Sequence, residues 1–250
     1  MRPSEDQMSE AFIIDAVRTP VGKKGGALSQ VHPADLGAHV LKALMARTRI
    51  DPAAVEDCIF GCVDTLGPQA GDVARTAWLA AGLPEEVPGV TVDRQCGSSQ
   101  QAIHFAAQAV LSGTSDLIVA GGLQNMSAIP IGTSWRIGAE LGFKDPFSTS
   151  RGWVERYGDQ QISQFKSAEM IAHKWDLSRR DMEEFALRSH QRAVRAGDEQ
   201  RFAREIAPWG ELAVDEGPRR DTSLEKMASL KPLAENGRIT AAVSSQISDG

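Results

Sequence analysis

The chain has 250 residues and a formal charge of −6, with 42% hydrophobic and 24% charged side chains, the balance of a folded globular protein. No run of eighteen apolar residues offers a membrane span, and the mild acidity argues against nucleic acid as the main partner. Three cysteines, Cys58, Cys62 and Cys96, make no disulfide framework, so the expected compartment is a reducing cytoplasm.

Taken in chain order, residues 1–10 are polar and acidic, unlike a secretory signal or a transit peptide. They are expected to be a disordered tail. "AFIIDAV" (11–17) predicts a buried strand and "RTPVGKKGGAL" a glycine-rich turn. "HPADLGAHVLKALMART" predicts a helix with Pro33 in its first turn, where proline is tolerated. "VEDCIFGCV" (55–63), "GVTVD" (89–93) and "DLIVAGG" (116–122) predict strands, separated by helices over 71–82 and 97–113. Such alternation predicts a layered α/β fold. Cys58 and Cys62 fall on the first of these strands, as buried small hydrophobes rather than metal ligands; no metal site is expected.

After residue 125 the pattern changes. "NMSAIPIGTSWRIGAELGFKDPFSTSRGW" has no sustained period and predicts a long ordered excursion. Helices are expected at about 159–175 and 178–196, the second capped by Ser178 with Asp181 and Glu184 in its first turn. "FAREIAPW" predicts a further strand, and "RITAAVSSQISDG" a return to the core. The expected domains are a core over 11–125, an inserted domain over 126–239 and a return strand over 240–250. Residues 126–250 carry 18 of the 27 basic side chains, some of which could meet an anionic ligand, though most are expected on solvated helix faces.

The stretch "VDRQCGSSQQAI" (92–103) joins a strand to a helix through a cysteine, a glycine and two serines. A helix N-terminus carries unpaired N–H groups and partial positive charge. These favour a thiolate and can hold an oxyanion on an attacked carbonyl. Gly97 would let a bulky thioester approach the backbone. On this ground alone Cys96 is either a nucleophile or a small filler at a strand–helix junction.

The wording of "VDRQCGSSQQAI" followed by "DLIVAGGLQNMS" resembles the nucleophile segment of the thiolase family. "DAVRTPVGKKGGAL", "SAEMIAHKWDLSRRDMEEFALRSHQRA", "RFAREIAPW", "MASLKPL" and "TAAVSSQISDG" follow in the family's order, so the resemblance runs from residue 11 to the end. It is closest in wording to actinobacterial thiolases of lipid and steroid breakdown. It implies the thiolase fold, an α-β-α core with an inserted loop domain, and acyl transfer between a 3-ketoacyl-CoA and coenzyme A with release of acetyl-CoA. Cys96 matches the nucleophile that carries the acyl thioester. Coenzyme A is implied as a co-substrate, with no tightly bound cofactor.

The resemblance further implies coenzyme A contacts at Arg219 and its neighbour Arg220, at Leu230 and at Ser245. Lys226 stands where some members have serine, able to reach a phosphate. Save for Ser245, an ordinary surface role is an equal alternative for each. A homodimer or homotetramer is implied, with subunit contacts over 123–140 at Ile129, Ile131 and Trp135. The family's Gly-His-Pro, Cys-Gly-Gly and Asn-Glu motifs, which supply its acid–base groups, do not occur in the chain. None of His32, His39, His104, His173 and His190 replaces them, and His104 is expected to pack in the core. Single-turnover acylation is therefore the activity expected of the chain as it stands. Small-substrate members carry His-Met-Gly where this chain has Ser163, Gln164 and Phe165, which implies a longer or bulkier acyl group. The alternatives are a non-catalytic acyl-CoA-binding or scaffold protein, and a condensing enzyme of the ketoacyl-synthase type.

Overall fold

The computed structural model describes residues 10–250; apart from Glu10, the expected tail lies outside them. The elements run β1 (Gly22–Lys23), α1 (Pro33–Thr48), β2 (Asp57–Gly61), α2 (Val73–Ala80), β3 (Gly89–Val92), α3 (Ser98–Leu111) and β4 (Ile118–Gly122). They continue as α4 (Thr133–Glu140), α5 (Arg151–Tyr157), α6 (Gln164–Lys174), α7 (Arg179–Asp198), α8 (Leu224–Ala228) and β5 (Ser248–Asp249). Described residues up to Ser134, with 204–216 and 248–250, form one compact unit; 135–203 and 217–247 form another.

The first unit is built on a parallel sheet in the order β3-β2-β4. Side chains alternate faces along a strand, and β2 shows the consequence. Cys58 and Phe60 are buried in one apolar cluster with Leu41 of α1 and Val73, Ala74, Ala77 and Trp78 of α2. Gly61 faces the opposite way, onto the start of α3. The result is helix, sheet, helix, as the sequence pattern predicts. Gly37 lets α1 lie close: a Cβ there would stand 2.6 Å from Ala77 Cβ and 2.8 Å from Leu123 Cδ2. The first helix starts as expected, with His32 as N-cap, its side chain accepting from Ala34 N–H, and Pro33 at the first position.

Two expected strands are not formed. Residues 11–17 pair in no sheet, and Phe12, Ile13 and Ile14 are 77%, 80% and 65% exposed. They line, with α1, α3 and β4, an open apolar cavity of about 770 Å³. Periodicity reports that a segment is apolar, not whether a neighbouring strand takes its backbone hydrogen bonds. "FAREIAPW" is reduced to a single parallel bridge between Arg18 and Ile206.

The segment 204–216 nevertheless belongs to the first unit, not to the insert expected over 126–239. Arg18 is bonded to both Asp215 oxygens, at 2.6 and 3.0 Å, and to Glu205 at 2.7 Å. Glu216 accepts from Lys23 and Ala27 N–H. Burial by itself would raise the Asp215 carboxyl, but Arg18 and the Val21 N–H hold it below the ordinary carboxylate range. A carboxylate lowered on folding adds stability above its unfolded pKa and loses it as pH falls through the folded value. Asp215→Asn should therefore cost ~1–3 kcal/mol at neutral pH, and the gap from the native chain should close in acid. Urea unfolding across a pH series measures both.

In the second unit, Ser178 and Asp181 form the capping box of α7 that the sequence indicates. The long excursion contains two short helices, α4 and α5. The rings of Trp135, Phe147, Trp153 and Tyr157 make a chain of contacts with centroids 4.7–5.4 Å apart. The expected return strand over 240–250 is a short helical turn at Ala241–Val243 followed by the two residues of β5, which pairs antiparallel with β1.

Candidate active site

Parallel α/β sheets place their chemistry beyond the carboxyl ends of the strands. Here β3 ends at Val92 and the chain turns through Asp93–Gly97 into α3. Gln95 sits at φ 49°, in the left-handed region, which is costly for a side-chain-bearing residue. Three bonds hold it there. Asp93 Oδ1 accepts its N–H at 2.7 Å. Ser98 Oγ donates to its carbonyl at 2.5 Å and accepts from Arg94 N–H at 2.9 Å. Ser98 is buried, so its two bonds are partly shielded from water, while the bond to Asp93 lies at the surface.

The clasp pushes Cys96 outward. Cys96 is exposed, whereas Cys58 and Cys62 are buried. Burial pushes both of their thiols up to about 12, which leaves them unreactive near neutral pH. The N-cap of α3 is Gly97, with no side chain capping the first turn. The fourteen-residue helix therefore directs its partial positive end at the cysteine's neighbourhood.

Two glycines set the helix. A Cβ on Gly61 would overlap the Ser98 carbonyl carbon and the Ser99 nitrogen, and one on Gly122 would overlap the Ser99 hydroxyl. Both glycines end parallel strands, so the start of α3 rests directly on the sheet. The sequence did carry a signal for them, since glycine inside a strand marks close backbone approach. Gly61 and Gly122 are site residues that no motif marks; Ser98, one of the two serines of the motif, is buried in the clasp.

His104 is exposed, not packed in the core. The buried positions of α3 are Ser98, Gln101 and Ala102.

The "LQNMS" stretch after β4 is structural. Asn125 is fully buried. Its N–H donates to Gln69 Oε1, its amide nitrogen to the carbonyls of Leu28 and Val31, and its Oδ1 accepts from Ala128 N–H. Asp64, also buried, accepts from Gly132 N–H and from both groups of Ser134. Asp249 does the same for Ser127.

The other five sequence-derived positions all lie in the second unit. Arg219 is exposed, and its N–H donates to His190 Nδ1 at 3.1 Å. Arg220 pairs with both oxygens of Asp198, at 3.0 and 2.5 Å. Lys226 pairs with Asp221 at 3.0 Å. Leu230 is 39% exposed, and its carbonyl accepts from Arg179 at 2.8 Å. Ser245 is exposed and precedes Gln246, whose amide donates to Gly217 O at 3.1 Å. That bond draws the Ser245 and Arg219 segments together. Among the described residues no group of three or more His, Cys, Asp or Glu could hold a metal, and no helix is long and apolar enough to cross a membrane.

Residues 11–250 match the sequence model of the thiolase N-terminal domain. The chain is 61% identical over 247 residues to a steroid 3-ketoacyl-CoA thiolase of Mycobacterium tuberculosis, covering 97% of this chain and 60% of that protein. It is 41% identical to a beta-ketoadipyl-CoA thiolase of Pseudomonas aeruginosa, covering 96% and 64%. The crystal structure of the Bacillus anthracis acetyl-CoA acetyltransferase superposes with a TM-score of 0.78 at 32% identity, covering 97% and 64%. The chain thus spans between 60% and 64% of the length of these relatives.

Proposed function

The chain belongs to the thiolase family, and on that premise we propose that it carries the nucleophile half of an acyl transfer between a 3-ketoacyl-CoA and coenzyme A. The observation that carries this reading is Cys96, the exposed cysteine of the three, held on a clasped turn at the start of α3. Its sulfur would add to the keto carbon. Cleavage of the adjacent carbon–carbon bond would send the electron pair into the departing acetyl-CoA, which takes up a proton. The acyl group left on Cys96 would then pass to the thiol of free coenzyme A, dividing one difficult cleavage into two acyl transfers. The acid–base groups for turnover match none of the histidines of this chain.

The second unit is the loop domain in this reading and receives coenzyme A. Arg219 and Arg220 meet its adenine and phosphates, Lys226 a phosphate, Leu230 the apolar part and Ser245 the pantetheine arm. Arginine suits both stacking and phosphate pairing. Arg220 and Lys226 are held by Asp198 and Asp221, so they need to exchange partners on binding. Arg219→Ala is accordingly expected to weaken coenzyme A binding about tenfold, the scale of a charge-assisted contact, and more than Lys226→Ala does. Calorimetric titration measures the difference.

The acyl group is large, steroid-derived or a long fatty chain. Two observations support this: the name of the M. tuberculosis relative, and Ser163, Gln164 and Phe165 at the cap and first turn of α6, where small-substrate members carry His-Met-Gly. The proposed setting is degradative, in the cytoplasm. The proposed assembly is a homodimer or homotetramer with contacts over 123–140, where Ile131 and Trp135 are each 41% exposed.

The test is release of free coenzyme A on mixing the protein with an acyl-CoA, followed by chromatography. We expect a burst of about one equivalent per chain, the signature of an acyl-enzyme, and none from Cys96→Ala. A burst that survives in Cys96→Ala would remove the reading.

A further inference from the structure

We infer that His190 is a positioning residue for coenzyme A: its neutral Nδ1 holds the 217–221 turn so that Arg219 presents its guanidinium to the ligand's phosphates. This rests on the reading of Arg219 above. His190 lies on α7, 29 residues before Arg219 in the chain, and matches none of the family's coenzyme A contacts.

The geometry is specific. The turn "GPRRD" is pinned at four places. Lys226 holds Asp221 at 3.0 Å. His190 Nδ1 accepts Arg219 N–H at 3.1 Å, Gln246 donates to Gly217 O at 3.1 Å, and Asp198 holds Arg220. Two of the four anchors, His190 and Asp198, come from α7. The bond at Arg219 is the one that fixes the backbone of the proposed ligand-binding arginine itself. A ring nitrogen accepts only when it carries no proton. Protonation of His190 therefore breaks this anchor and places a second cation beside Arg219.

The surroundings leave His190 as the titrating element of this anchor. On its own helix the positions three and four residues away are Leu187, Ala186, Ala193 and Val194, all uncharged. On the facing turn the charged groups are Arg219, Arg220 and Asp221. Arg220 is paired with Asp198 and Asp221 with Lys226. The elements packed most closely on α7 are α8, which carries Glu225 and Lys226, and the Ala241–Val243 turn, which carries no charge. Burial, and then the charge of Arg219, hold His190 below the ordinary histidine range, so the acceptor form prevails at neutral pH and is lost on acidification.

The experiment is calorimetric titration with coenzyme A from about pH 7.5 to about pH 5, spanning the histidine range, on the native chain, His190→Asn, His190→Ala and Arg219→Ala. Asparagine keeps an acceptor near the place of Nδ1 and does not titrate. The ligand's phosphomonoester itself titrates near pH 6, so the comparison between variants carries the result. His190→Ala should bind about fivefold more weakly than the native chain at the higher pH, the scale of one hydrogen bond. His190→Asn should retain native affinity there and lose less of it in acid than the native chain does. A His190→Ala affinity equal to native, with Arg219→Ala weakened, would overturn the inference and leave the reading of Arg219 standing. The same is true if His190→Asn follows the native pH curve. Native affinity in Arg219→Ala would remove the premise and the inference together. Circular dichroism of each variant separates loss of the anchor from loss of α7.

Discussion

Gly61→Ala is expected to be among the most damaging single-methyl changes in the chain. The added carbon would lie closer than 3.0 Å to backbone atoms of Ser98 and Ser99, and backbone cannot rotate aside as a side chain can. Either α3 lifts from the sheet or β2 shifts within it. Overpacking of this kind costs ~3 kcal/mol or more. Because Ser98, whose backbone is displaced, closes the clasp around Gln95 through its hydroxyl, the exposed presentation of Cys96 should go with the lost stability. Urea unfolding reads the first effect, and the rate of Cys96 alkylation in native buffer reads the second. Gly152→Ala is the opposite case. Gly152 lies in α5 with nothing within 4 Å of the new carbon, and the change should stabilise by ~0.5–1 kcal/mol. Equal and small effects from both variants would contradict the seating of α3 on Gly61.

The second large effect is expected from Asn125→Leu. Leucine matches the volume of the site roughly but supplies no polar atom. The carbonyls of Leu28 and Val31 and the N–H of Ala128 would each lose a buried partner. An orphaned buried group costs ~1–3 kcal/mol, so the variant should lose ~3 kcal/mol or more and leave little folded protein at physiological temperature. Asn125→Asp should also be severe, because it turns a carboxylate oxygen toward two carbonyls. A native-like urea midpoint for Asn125→Leu would mean that water reaches these groups and that the network does not fix the 125–134 loop.

The sequence made much of this arrangement legible, and the reasons are local. Pro33 after His32, and Ser178 three residues before Asp181, are capping signals that act within one turn, and both mark the observed helix starts. The strand, turn and helix around Cys96 are likewise contiguous in sequence. The failures are non-local. Residues 11–17 are as apolar as a core strand, but a strand also needs a neighbour, and no neighbour is encoded in the segment itself. "FAREIAPW" reaches its place through Arg18, 187 residues from Glu205, a distance over which no pattern can be read. His104 is exposed although Gln101, one turn before it on α3, is buried; which positions are covered depends on what packs on the helix, and the helix's own sequence does not encode that. The seat of α3 stood between these cases. Glycines at the ends of β2 and β4 were visible, but that both lie under one helix start follows only from the sheet order.

The assignment of Arg219, Arg220, Lys226, Leu230 and Ser245 rests on motif position rather than on any property legible in the residues. A surface arginine beside an aspartate looks the same whether it waits for a phosphate or simply pairs. Gln246 ties the Ser245 segment to the Arg219 turn, a link between those two positions that sequence order does not show.

The most direct test of the central claim is to locate the acyl group. The protein is mixed with an acyl-CoA, quenched in acid, digested and mapped by mass spectrometry. The acyl mass should sit on Cys96 alone, with Cys58 and Cys62 unmodified, and should be absent from Cys96→Ala. An acyl group on any other side chain, or undiminished labelling in Cys96→Ala, would contradict the account of Cys96 as the nucleophile.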